Sequence, residues 1–98
     1  MAKKRFALDA RVDTDGPEAV ERVLLTAFRD LTVLRGENPG EFVLRGEALG
    51  ENAKELNREL LTALRRAEKK TRLRAEWKAG DGTVSRFFDY VLKKTWKA

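Results

Sequence analysis

Residues 3–31 read KKRFALDARVDTDGPEAVERVLLTAFRDL, and the change of hydrophobic period inside this stretch decides the architecture. Phe6, Leu8, Ala10 and Val12 alternate with Arg5, Ala7, Asp9 and Arg11, which describes a strand over residues 3–12 with one apolar and one mostly charged face. Past Thr14-Asp15-Gly16-Pro17-Glu18 the period becomes helical. Val20, Val23, Leu24, Ala27, Phe28 and Leu31 form one stripe, with Leu25 off it, and predict a helix over residues 17–30. Thr14 or Asp15 is the expected cap, Pro17 suits the first turn, and Glu18 sits at the positive end of the helix dipole.

The same alternation returns downstream. Strands are expected at 31–36 and 41–49, on either side of Asn38-Pro39-Gly40, whose Pro-Gly pair suits a type II turn. Pairing across that turn sets Leu34 opposite Leu44 and Thr32 opposite Gly46, with Phe42 on the same face, and leaves Val33, Arg35, Val43, Arg45 and Glu47 on the other. The pentapeptide VLRGE occurs at 33–37 and again at 43–47, which indicates two strands in similar surroundings rather than a repeat architecture. Asn52-Ala53-Lys54-Glu55 has the spacing of a capping box and opens a helix running to Lys70. Its core stripe is Leu56, Leu60, Leu64 and Ala67, flanked by Ala53 and Ala63. Arg65, Arg66, Lys69 and Lys70 complement its negative end. A strand at 72–79 turns Leu73, Ala75, Trp77 and Ala79 inward, and Gly80-Asp81-Gly82 is a hairpin turn.

Residues 83–92 admit two readings. As a strand paired across Asp81-Gly82, they put Val84, Phe88, Tyr90 and Leu92 on the core face, Trp77 opposite Arg86, and Phe87 and Val91 outward. As a helix capped by Ser85, they align Phe88, Val91, Leu92 and Trp96. The Val, Phe and Tyr content and the preceding turn favour the strand.

The resulting order, β-α-β-β-α-β-β, describes an α+β sandwich with one antiparallel sheet and two helices on one face. Over residues 3–79 this order resembles the ferredoxin-like fold, a βαββαβ sandwich here followed by an additional C-terminal strand. The resemblance implies strand order 2-3-1-4, with the fifth strand beside strand four. It implies no activity, because that fold hosts many unrelated functions. The stacking aromatics of the RNA-recognition motif are missing: the corresponding outward positions hold Arg5, Ala7, Asp9, Val43 and Arg45, while Phe6 and Phe42 turn inward. The Gly-rich, Arg-bearing loop of acylphosphatases is replaced by residues 13–18.

A chain of 98 residues is long enough for a single α+β domain with its own core. It has no His and no Cys, which removes disulfides, thiolate chemistry and zinc knuckles. Acid–base work would fall to carboxylates, Lys or Tyr90, and no nucleophile–base pair or phosphate-cradling Gly loop is present. A non-enzymatic protein without metal or cofactor is therefore expected. Asp13-Thr14-Asp15-Gly16 lacks the remaining ligands of a calcium loop and reads as a helix cap. Charged residues make up 38% of the chain, a level that fits the ion-pair surface of a thermophile protein. Residues 1–15 carry no signal-peptide h-region and no apolar run approaches the ~20 residues of a membrane span, so a cytoplasmic protein is expected.

Two candidate surfaces follow. The net charge of +5 favours acidic partners, RNA or DNA foremost. The end of the second helix and the start of the fourth strand lie at one pole, where Arg65, Arg66, Lys69, Lys70, Arg72 and Arg74 are expected to converge with Lys93, Lys94 and Lys97, near Trp96. Asp13 and Asp15 lie toward the same pole. The helix-free sheet face is expected to show Arg5, Arg11, Arg35, Arg45, Arg72, Arg74 and Lys78 among Asp9, Glu47 and Glu76. The competing surface is apolar: Val33, Val43, Phe87 and Val91, outward on that face, form a candidate homodimer interface. Trp77 is assigned to the core.

Overall fold

The longest strand, β1 (Lys4–Thr14), lies inside the sheet and organises the rest. The computed structural model describes residues 3–28 and 30–97. After β1 come α1 (Pro17–Ala27), β2 (Leu31–Arg35), β3 (Glu41–Gly50), α2 (Ala53–Ala67), β4 (Thr71–Ala79), β5 (Thr83–Phe88) and β6 (Val91–Lys97). The strands form a six-stranded antiparallel sheet in the order β2-β3-β1-β4-β5-β6. The protein is thus α+β, with two helices on one face of the sheet. No helix among the described residues is long and apolar enough to cross a membrane.

The core lies between this sheet and the helices, where alternation is decisive. Phe6, Leu8, Ala10 and Val12 of β1, Phe42 and Leu44 of β3, and Leu73, Ala75 and Trp77 of β4 are all buried against Val20 and Leu24 of α1 and Leu56, Leu60 and Leu64 of α2. Leu61 and Asn57 of α2 are buried as well, which widens the stripe read from the sequence. Asn52 caps α2 as expected, its side chain accepting the Glu55 N–H at 2.8 Å.

Helix α1 starts differently. Its N-cap is Gly16, with no side-chain cap, and the Thr14 hydroxyl accepts the Gly16 N–H instead. The helix stops at Ala27, and the Phe28 carbonyl receives the Leu31 N–H at 3.1 Å as the chain turns into β2. Helix α2 stops at Ala67 rather than Lys70, because Glu68 is already extended (φ −150°, ψ 117°).

Two hairpin registers depart from expectation by one residue, and each slip exchanges the faces of a strand. Between β2 and β3 the connection is the five residues 36–40, with the Gly36 N–H on the Glu41 carbonyl, and Val33 pairs with Leu44 and Leu34 with Val43. Val33 therefore packs against the core, and Leu34 is 50% exposed on the helix-free face. Arg35 also moves to the helix side, where its guanidinium lies over the Phe42 ring and pairs with Glu21 of α1 at 3.1 Å. Between β4 and β5 the loop is three residues, with Gly82 at φ 93°, so Trp77 pairs with Ser85 and Glu76 with Arg86. Phe87 is consequently buried opposite Ala75, not outward, and Phe88 faces the helix-free side opposite Arg74. The Asp81 carboxylate accepts the Thr83 N–H in this loop, which holds its pKa below the ordinary aspartate value.

The segment after Phe88 is neither a continuation of β5 nor a helix. The chain reverses at Asp89-Tyr90, and β6 pairs back along β5. A bulge between Arg86 and Phe87 leaves Lys93 as the extra residue, between the pairs Arg86–Lys94 and Phe87–Leu92.

Gly40 shows how the β2–β3 turn is held. It does not take the left-handed backbone of a type II turn. The glycine is needed for close approach: its carbonyl accepts the Thr14 N–H at 2.9 Å, and a Cβ there would lie 2.2 Å from the Thr14 carbonyl oxygen. Gly40→Ala is expected to cost about 1–3 kcal/mol in urea unfolding, because two backbone segments must separate. Gly80→Ala, whose Cβ would meet nothing within 4 Å, should change stability by less than about 0.5 kcal/mol.

Candidate functional site

The basic pole is assembled by Asp89. Its backbone N–H donates to the Leu73 carbonyl at 2.7 Å, and its Oδ1 accepts the Leu73 N–H at 2.9 Å. Its Oδ2 lies 3.2 Å from Arg65 Nη2, and its carbonyl accepts Asn57 Nδ2 at 2.6 Å. Asn57, 1% exposed, also accepts the Trp77 indole N–H at 3.2 Å. Helix α2, strand β4 and the β5–β6 turn are thereby locked together. Asp89 has φ 54°, a left-handed conformation that Asp tolerates better than most residues. Beside it, Thr14 and Thr71 share a buried hydroxyl–hydroxyl bond of 2.8 Å, and Thr71 donates to the Glu68 carbonyl, which brings the end of β1 to the start of β4.

Against this frame the expected cations separate into groups. Arg65 is consumed by structure: besides Asp89 it donates from Nε to the Thr71 carbonyl, and its guanidinium lies 5.2 Å from the centre of the Tyr90 ring. Arg66, Lys69 and Lys70 are exposed at the end of α2, and Arg72 and Arg74 follow on the helix-free side of β4. None of these five forms an ion pair with a described residue. Lys93 and Lys94 do not sit at the pole. They lie along β6, which runs away from it, and Lys94 pairs with Arg86 halfway down the sheet. Lys97 and Trp96 are carried to the far end, paired with Thr83 and Val84. Asp15 is at the pole, its N–H donating to the Lys70 carbonyl. Of the four apolar candidates, Val43 (half-buried) and Val91 (56% exposed) lie on the helix-free face, whereas Val33 and Phe87 belong to the core side.

The registers arrange the helix-free face in rows. One row runs Thr32, Arg45, Asp9, Glu76, Arg86, Lys94 from β2 to β6. Four of its five charges are matched, Arg45 with Asp9 at 3.9 Å and Arg86 with Glu76 at 3.7 Å, and Lys94 is the fifth. The next row toward the pole runs Leu34, Val43, Arg11, Arg74, Phe88, Val91. Here Arg11 and Arg74 stand directly opposite each other with no acid in the row, and the Arg74 guanidinium lies 5.2 Å from the centre of the Phe88 ring. Asp13, opposite both Glu41 and Arg72, comes one row further on. A cleft of about 240 Å³ opens there, lined by Arg11, Val12, Asp13, Glu41, Arg72, Arg74 and Phe88. Like charges directly opposite on neighbouring strands are unfavourable, and the acids nearest this pair in the cleft, Asp13 and Glu41, lie one row away.

Arg11 and Phe88 also line this cleft; Arg11 was expected on this face, whereas Phe88 was expected on the core face. Arg11 was legible on the face, but its partner Arg74 required the β1–β4 register. Phe88 required the loop length at 80–82. Among the described residues no group of three or more carboxylates is placed to hold a metal ion. Searches against protein-family models, curated proteins and solved structures find no match for the chain.

Two measurements probe this frame. Asp89→Ala, which loses the carboxylate and strains the turn, is expected to cost about 3 kcal/mol in urea unfolding, and Asp89→Asn, which keeps an oxygen for Leu73, about 1 kcal/mol. Arg11→Glu, placing an acid opposite Arg74, is expected to stabilise the fold by about 0.2–1 kcal/mol, a gain that shrinks as salt is added.

Proposed function

We propose that this chain is a single-domain, non-enzymatic binding module that holds nucleic acid on a cationic surface running from the pole onto the helix-free face. The cations of this surface are Arg66, Lys69, Lys70, Arg72, Arg74 and Arg11. The observation that carries the reading is the opposition of Arg11 and Arg74, unneutralised on a face where other arginines have acids beside them. A phosphate backbone supplies the missing negative charge and releases counterions on binding. The adjacency β2-β3-β1-β4 supports a ferredoxin-like unit widened by β5 and β6. The absence of cysteine is compatible with a cytoplasmic setting.

A second reading is a self-associating structural or regulatory domain. It is favoured by Leu34 and Val43 at one end of the arginine row and Val91 at the other, Leu34 and Val91 being well exposed. It ranks second because a copy packed face to face on that row would set further arginines against Arg11 and Arg74.

Fluorescence anisotropy with labelled RNA and DNA oligonucleotides separates the two. The affinity is expected to fall log-linearly with salt between about 50 and about 200 mM, and Arg11→Glu and Lys70→Glu each to lower the salt slope by about one. A flat salt response, or equal binding by wild type and both variants, would remove the nucleic-acid reading. A mass in light scattering that doubles with concentration and reverts in Val43→Asp would establish the second.

A further inference from the structure

The cationic surface extends beyond the pole along the wing formed by β4, β5 and β6, and there it alternates with aromatic rings. Phe88 lies beside Arg74 in the arginine row, Lys94 and Arg86 follow in the next row, and Trp96 occupies the row after that. Lys94 Nζ is 5.6 Å from the centre of the Trp96 ring. Both rings are half-buried on a sheet face that carries no helix. Val84, paired with Trp96, is only 5% exposed on that same face, which marks a local apolar platform there. Glu76 is the acid of this strip, and Arg86 already neutralises it at 3.7 Å.

Building on the nucleic-acid reading, we propose that Phe88 and Trp96 are stacking platforms and that the preferred ligand is single-stranded nucleic acid. Two rows separate the rings, roughly 13 Å along the strands at the usual rise per residue, so they take bases that are not adjacent. Arg74 and Lys94, each already over one of the rings, are placed to hold the phosphates between them. Unpaired bases offer the π-faces that such platforms require, and a duplex keeps those faces inside its own stack. The wing is therefore a reader of strand state rather than of sequence.

The test uses the whole chain with oligo(dT), oligo(rU) and a mixed-sequence duplex of equal length, at one salt concentration. Single strands are expected to bind more tightly than the duplex. Phe88→Leu and Trp96→Leu are expected to weaken single-strand binding about tenfold each, and Trp96→Leu to leave duplex binding unchanged. Titration with oligo(dT) should quench tryptophan fluorescence, and Trp96→Leu should abolish the quench, because the remaining Trp77 is buried at 2% exposure. Thermal melts of both variants confirm that they fold. Equal affinity for single and double strands, or unchanged binding by both variants, overturns the stacking role and leaves the cationic reading standing. Failure of every polymer to bind removes both. A dimer lost in Phe88→Leu would reassign the platform to a second copy of the chain and also overturn it.

Discussion

The β4–β5 ladder ends at Arg74 and Phe88, and Asp89 takes over where it stops. A single residue supplies both a donor and an acceptor to Leu73, a carboxylate to Arg65 and a carbonyl to Asn57. Its carboxylate is largely withdrawn from solvent, 22% exposed, so these bonds work in a medium less polar than water. Through Asn57 the same network reaches the indole N–H of Trp77 and settles a polar group that the core would otherwise leave unpaired. The direction of the start of β4, and with it the placement of Arg72 and Arg74, depends on this junction.

How much of this was legible in the sequence depended on what kind of signal each element carries. Strands β1 and β4 are buried on one face only, so their alternation is unambiguous and Phe6, Leu8, Leu73 and Trp77 all fall inward. The stripe and capping box of α2 were equally readable. Strands β2 and β5 were misread by one residue because their faces depend on loop length: Pro39-Gly40 sits in a turn closed by the Glu41 N–H on the Asn38 carbonyl, but ladder pairing starts only at Arg35–Phe42, and Asp81-Gly82 advertises a two-residue turn where the chain makes a three-residue loop. The reversal at Asp89-Tyr90 carries neither glycine nor proline. Its left-handed residue is held by tertiary bonds, which no local pattern announces. For the site, composition disclosed the cations of α2 and β4, but not which ones structure consumes. Arg65 looks like its neighbours in sequence and differs only in having Asp89, Thr71 and Tyr90 around it.

The helix-free face separates two uses of charge. Where Arg45 meets Asp9 and Arg86 meets Glu76, the pairs are exposed and isolated, and their contribution to stability is small. They are discrete pairs rather than the networks that a high charge content suggested. One row away, Arg11 and Arg74 oppose each other without compensation. The fold tolerates that repulsion because both side chains are long and exposed. Asp13 and Glu41 oppose each other in turn, and Asp13 also faces Arg72 of β4.

The wing of β5 and β6 extends past the cover of the helices. Leu92, on the side where the core would continue, is 51% exposed, and every residue of β6 except Trp96 is exposed. The molecule is therefore two layers thick through β3, β1 and β4 and one layer thick at its margin. A thin margin opens without disturbing the interior, so amide protons there exchange with solvent through small local excursions while those of β1 wait for the whole fold to come apart. Stability is graded across the sheet, greatest at its centre, and the outermost strand keeps the freedom to reshape itself.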